Sequence, residues 1–178
     1  MSESDVTFVM DEEDRTRIFH GLFWGMVATP IAAVVPLVAI ALGVWPAPTP
    51  VTATIIHRFL GVAGTGGYLL AAIAQLLYGG LWGIYIAYVS GTTDAPVLAR
   101  PSTLSIGLGA GFFRAVLASV TGLQLAGWGA FGLLATPKIA FAILVTDLFF
   151  GGAAATLIAR EEWGRLKVPF AKHAIHHS

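Results

Sequence analysis

The chain of 178 residues contains no cysteine, which removes disulfides, thiolate catalysis and cysteine-type zinc sites from consideration. Charge is nearly as scarce, at 11% of residues against about 25% in a typical soluble domain. So few charged groups do not cover the surface of a water-soluble globule of this length. The ten basic and ten acidic residues cancel, and no excess of positive charge points to nucleic acid. A glycine-rich phosphate loop, an HExxH pair and a serine-nucleophile spacing are also missing, so the reading leans away from an enzyme and calls for no cofactor. The amino end is acidic where a cleavable signal peptide is basic and then apolar, so it is expected to be retained.

What the chain has in quantity is apolar surface and glycine. Hydrophobic residues make up 56% and glycines number 21, and the mean hydropathy is +0.78. The solvent implied is lipid, in which small residues let helix backbones approach. The expected fold is an all-α integral membrane protein with four transmembrane helices at about 18–45, 68–90, 103–131 and 137–160. The resulting organisation is a cytoplasmic acidic tail (1–17), a four-helix transmembrane domain (18–160) and a cytoplasmic basic, histidine-containing tail (161–178). No specific family is resembled; the chain is similar only to the general class of small prokaryotic four-helix membrane proteins.

The first apolar run extends from Ile18 to Val44, about 40 Å of helix, enough to cross a ~30 Å hydrocarbon core with tilt. Gly21 and Gly25 form a small-xxx-small stripe, Trp24 and Trp45 suit the two interfaces, and Pro30 and Pro36 are expected to bend the helix. Asp11 to Asp14 suit the positive end of its dipole as a first turn. Pro46 to Pro50 is rich in breakers. The following run, 51–90, is about 60 Å long as a helix, too long for one span and barely enough for two. It is read as a short interfacial helix at about 52–62, where His57 and Arg58 reach water, a glycine hinge at Gly64, Gly66 and Gly67, and then a span. One long tilted helix is the rival reading. Tyr78, Trp82, Tyr85 and Tyr88 give this span an aromatic face for packing or anchoring; a quinone-type or pigment pocket is the sharper alternative. Beyond the polar turn from Gly91 to Pro101, Ser102 or Thr103 caps the third helix, and Thr136 with Pro137 opens the fourth.

The two halves are weakly alike. Gly21-Leu-Phe-Trp-Gly25 aligns with Gly107-Leu-Gly-Ala-Gly111, and Gln75-Leu-Leu-Tyr-Gly-Gly80 with Asp147-Leu-Phe-Phe-Gly-Gly152, the pattern of a two-helix hairpin used twice. Four spans put Arg15, Arg17, Arg100, Arg160, Arg165, Lys167 and Lys172 on one side and Arg58 and Lys138 on the other. That bias places both termini in the cytoplasm, in an inner or plasma membrane.

Arg114 and Asp147 are the fully charged groups deep in the apolar hairpin, and each costs about 2.5–3.5 kcal/mol at bilayer depth on insertion scales unless satisfied. Counting along antiparallel helices places them within about 3 Å of the same level, an ion pair that Gln75, Thr121 and Gln124 are positioned to extend into a polar layer. The layer either fixes helix register or serves as a proton, ion or substrate relay. His20, His57 and Arg58 are interfacial candidates, and His173, His176 and His177 form at most a weak metal site. The functional expectation is an accessory or scaffolding subunit or a homo-oligomer, with the bilayer and other membrane subunits as partners. The alternative is a small transporter or ion or proton channel using Arg114, Asp147 and Gln75.

Overall fold

The computed structural model describes residues 12–46, 50–91, 102–136 and 138–166. Their secondary structure is entirely helical: α1 (Glu12–Ala41), α2 (Val51–Leu60), α3 (Gly64–Gly91), α4 (Thr103–Leu117), a π turn (Ala118–Gly122), α5 (Leu123–Leu125), a 3-10 turn (Ala130–Gly132) and α6 (Lys138–Leu166). Four stretches are long and apolar enough to cross a membrane, namely Asp14–Ala41, Gly64–Gly91, Thr103–Leu125 and Lys138–Arg160.

The packing inverts that of a soluble bundle. The buried core is made of small side chains, Ala28, Ala32, Ala87, Ala110, Ala154 and Ala155, with Ile86, Phe150 and Ile158 among them. Large apolar groups such as Phe23, Leu37, Leu69, Leu81, Phe112 and Phe141 stand on the outside. Such a periphery suits acyl chains, a setting in which contact between helices rests on close van der Waals approach. These features suggest a membrane protein.

Two antiparallel seams supply that approach. Along α1 and α3, a Cβ on Gly21 would lie 2.7 Å from the Gly83 carbonyl oxygen, and one on Gly25 would lie 2.8 Å from Gly83 Cα. Along α4 and α6, a Cβ on Gly111 would lie 3.1 Å from Leu148 Cα, and one on Gly151 would lie 2.8 Å from the Gly107 carbonyl carbon. The backbones touch where a methyl would stand. Gly25 meets Gly79 and Gly83, while Gly107 meets Gly151 and Ala155. With Gly79 set against Gly151, the counterpart of Gly107 is therefore Gly25 and not Gly21. The alignment of the two halves was one helical turn out, because glycines spaced by four allow that slip without losing the match.

Several boundaries differ from the sequence expectation. α1 starts at Glu12 rather than Ile18, with Thr16 Oγ1 donating to the Glu12 carbonyl at 2.8 Å, and it stops at Ala41 rather than Trp45. It runs through Pro30 and Pro36 as one helix. The short helix after the first span is present as Val51–Leu60, but the break behind it falls at Gly61, whose left-handed backbone (φ +69) ends α2. Gly64, also left-handed (φ +62), closes that break at the start of α3, while Gly66 and Gly67 lie inside the helix and not in the hinge. Ser102 caps α4, accepting from the Ser105 amide at 3.2 Å. The third long helix ends at Leu125, not at 131, since Gly127 and Gly129 take positive φ. Thr136 Oγ1 accepts from the Lys138 amide at 3.4 Å at the start of α6; Pro137 lies outside the described residues.

Candidate functional site

Gly111 seats α4 against the Asp147 carbonyl of α6, and Arg114, nearly one turn further along α4, then reaches the Asp147 side chain. Arg114 Nε lies 3.0 Å from Asp147 Oδ1, with both side chains 8% exposed. Its Nη2 donates to Gln75 Oε1 on α3 at 3.3 Å. Gln75 Nε2 in turn donates to Thr52 Oγ1 on α2. The guanidinium plane is flanked by aromatic rings, with its carbon 4.1 Å from the Phe150 centroid and 4.8 Å from that of Tyr78. Side chains of α3 and α6 thus converge on the cation that α4 presents, and α2 is joined to it through Gln75.

The physical logic is that of an enclosed charge pair. Burial of either ion alone costs several kcal/mol, and the pair is tolerated when attraction at low dielectric is joined by further hydrogen bonds. Cation–π contacts of a desolvated guanidinium contribute about 2 kcal/mol or more. The set is not complete: Nη1 of Arg114 is buried and has no hydrogen-bond partner. An arginine held in this way supplies a fixed positive charge with one free donor direction, next to a fixed negative charge.

Of the residues singled out in the sequence, Arg114, Asp147 and Gln75 are brought together. Gln124 is not: it is exposed on α5. Thr121 is also exposed, and its hydroxyl donates to the Leu117 carbonyl at 2.6 Å. Helix geometry explains both corrections, because the π turn that follows Arg114 changes which face the later residues present. His20 is half-buried on α1. His57 and Arg58 are exposed at the end of α2. His57 borders a shallow cleft of about 230 Å³ with Thr54 and Tyr68, and Arg58 Nη1 donates to the Leu125 carbonyl at 3.3 Å. His173, His176 and His177 lie outside the described residues, and among the described ones no three His, Asp or Glu side chains are grouped to hold a metal.

Thr52, Tyr78 and Phe150 were not assigned to the site from sequence. A signal for two of them was available. Tyr78 stands three residues after Gln75 and Phe150 three after Asp147, so the alignment of the two halves sets the two flanking rings opposite each other. The rest of the aromatic face follows Tyr78 along α3: Trp82 meets Tyr78 and Tyr85 edge to face at 6.2 and 5.7 Å and Phe113 of α4 at 6.0 Å. No family model, curated protein or solved structure was found to match the chain.

Proposed function

We propose that the chain is a multi-pass membrane protein with four spans and both termini in the cytoplasm, built from two hairpins of one design. Its role is that of an accessory or scaffolding subunit, or of a homo-oligomer, and the Arg114–Asp147–Gln75 layer locks the two hairpins in register. The observation that carries this reading is the enclosure of Arg114 between fixed groups of α3 and α6, with 8% of its side chain exposed. Directional polar bonds in an apolar bundle specify register, which is the best-attested use of buried polar groups. The large apolar side chains on α1 and α3 offer lipid or partner subunits ample contact. Native mass spectrometry from mild detergent or nanodiscs is expected to show oligomers or a co-purifying subunit. A protein that is monomeric and alone under all such conditions overturns the proposal.

A second reading, a small transporter or ion or proton channel, is favoured by the unpartnered Nη1 of Arg114 and by the polar contacts that continue through Gln75 to Thr52. Flux in liposomes decides it. Transport by the wild type that is abolished in folded Asp147→Asn and Arg114→Ala variants supports this reading, and transport unchanged in both makes the layer structural.

A further inference from the structure

α2 is ten residues long, too short to cross a ~30 Å hydrocarbon core, and it is tied down at both ends. In its first turn, Thr52 accepts from Gln75 Nε2. In its last turn, Arg58 Nη1 donates to the Leu125 carbonyl at 3.3 Å and passes so close to Gly127 that a Cβ there would lie 2.5 Å from it. These two ties lead to the two ends of one stretch of chain. Leu125 ends the helix that Arg114 belongs to, and Arg114 reaches Thr52 through a single intermediary, Gln75. Between them lies the π turn Ala118–Gly122, on which α2 also packs.

The intermediary is chemically two-sided. The Gln75 carbonyl oxygen accepts from Arg114 Nη2 while its amide nitrogen donates to Thr52, and both bonds depend on one side-chain orientation. If Arg114 withdraws, that carbonyl loses its donor in a low-dielectric setting, where an unmet polar group is costly. Rotation of the Gln75 side chain toward another partner then takes Nε2 away from Thr52. The first turn of α2 is released, leaving Arg58 as the polar tie at the other end. Left-handed glycines at Gly61 (φ +69) and Gly64 (φ +62) bracket the link on which α2 would swing.

We propose that α2 is a strap closed over the π turn, and that Gln75 couples its seating to the Arg114–Asp147 ion pair. The coupling holds whether the protein scaffolds or transports, because it concerns how the pair is covered and not what passes it. Amide hydrogen exchange of the full chain in nanodiscs tests it. Gln75→Leu and Thr52→Val are expected to speed exchange across α2 roughly tenfold, the loss of about one hydrogen bond, with α1 and α6 unchanged. Arg114→Ala is expected to do the same although the polar contacts of Arg114 go to Gln75 and Asp147 and not to a side chain of α2, and this arm separates coupling from simple tethering. If that variant does not fold, Arg114→Met combined with Asp147→Asn removes both charges together and carries the same expectation. Exchange in α2 that is unchanged when Arg114 is lost, or that rises only in step with α1 and α6, overturns the proposal.

Discussion

The seam between α1 and α3 and the seam between α4 and α6 solve the same contact problem with different means. Both lay glycine against the partner's backbone: Gly21 and Gly25 on Gly83 and Gly79, and Gly107 and Gly111 on Gly151 and the Asp147 turn. The first seam carries no buried charge among the described residues, although Arg17 of α1 lies against Gly91 at the end of α3. The second adds Arg114 and Asp147. Since the first closes without a buried charge, a buried ion pair is not what a hairpin of this kind needs in order to close. Its added value lies across the hairpins. Arg114 binds Asp147 within its own hairpin, and it binds Gln75 and the face of Tyr78 in the other. Small-residue seams permit a slip of one turn, whereas a hydrogen-bonded fork does not, and it is on this contrast that the proposed role of the charge in setting register rests.

The largest effect should come from leaving that fork unpaired. Asp147→Leu strands a buried guanidinium and is expected to lower stability by about 3–5 kcal/mol, while Arg114→Met with Asp147→Leu together is expected to return close to the wild type. Unfolding in mixed micelles, followed by helical circular dichroism, measures both. If the single variant costs no more than a packing change in the α1–α3 seam, the contrast between the two seams is lost.

How much of this was legible beforehand follows from which interactions are local. Helix identity came from hydropathy and length, and the meeting of Arg114 with Asp147 came from counting rises along two antiparallel helices. The arrival of Gln75 at the same place came from the resemblance between halves. The π turn did not announce itself, because Ala118–Gly122 carries no residue that forces a wider turn, and its rotation of the later face is why Gln124 and Thr121 were wrongly grouped with the layer. Thr52 was invisible for another reason. Its partner is fixed by how α2 folds back on α3, a tertiary outcome that the sequence of a ten-residue helix does not encode. The one-turn misregister of the repeat has a similar origin, since Gly21 and Gly25 are equally good matches to Gly107.

Overpacking ranks next and tests whether the two seams are equal. Gly25→Val places a branched side chain against the Gly79 carbonyl and Gly83 Cα, and Gly111→Val places one against the Asp147 carbonyl and Leu148 Cα. In each case the obstacle is backbone, so neither has a flexible side chain to displace. Each is expected to cost about 1–3 kcal/mol. Gly111→Val should in addition lengthen the Arg114–Asp147 contact. Loss of the α2 exchange protection in Gly111→Val but not in Gly25→Val would sharpen the distinction between a seam that only packs and one that also sets register.

Smaller still are changes at the end and on the outer face of α4. Ser102→Ala removes the oxygen that accepts from the Ser105 amide and should cost about 1 kcal/mol. Gly109→Ala should act in the opposite direction. It shares α4 with Gly107 and Gly111, but nothing stands within 4 Å of a Cβ built there, so the added methyl meets no backbone and the helix gains up to about 1 kcal/mol in propensity. The thermal midpoint in detergent should rise slightly or stay level. A clear destabilisation would mean that this outer face is covered in the working protein by another chain pressed as closely as α6 is on the other side, which would extend the glycine seam from within the chain to between chains. Because Gly107, Gly109 and Gly111 differ in which way they point and not in what they are, the comparison of Gly109→Ala with Gly111→Ala reads contact alone.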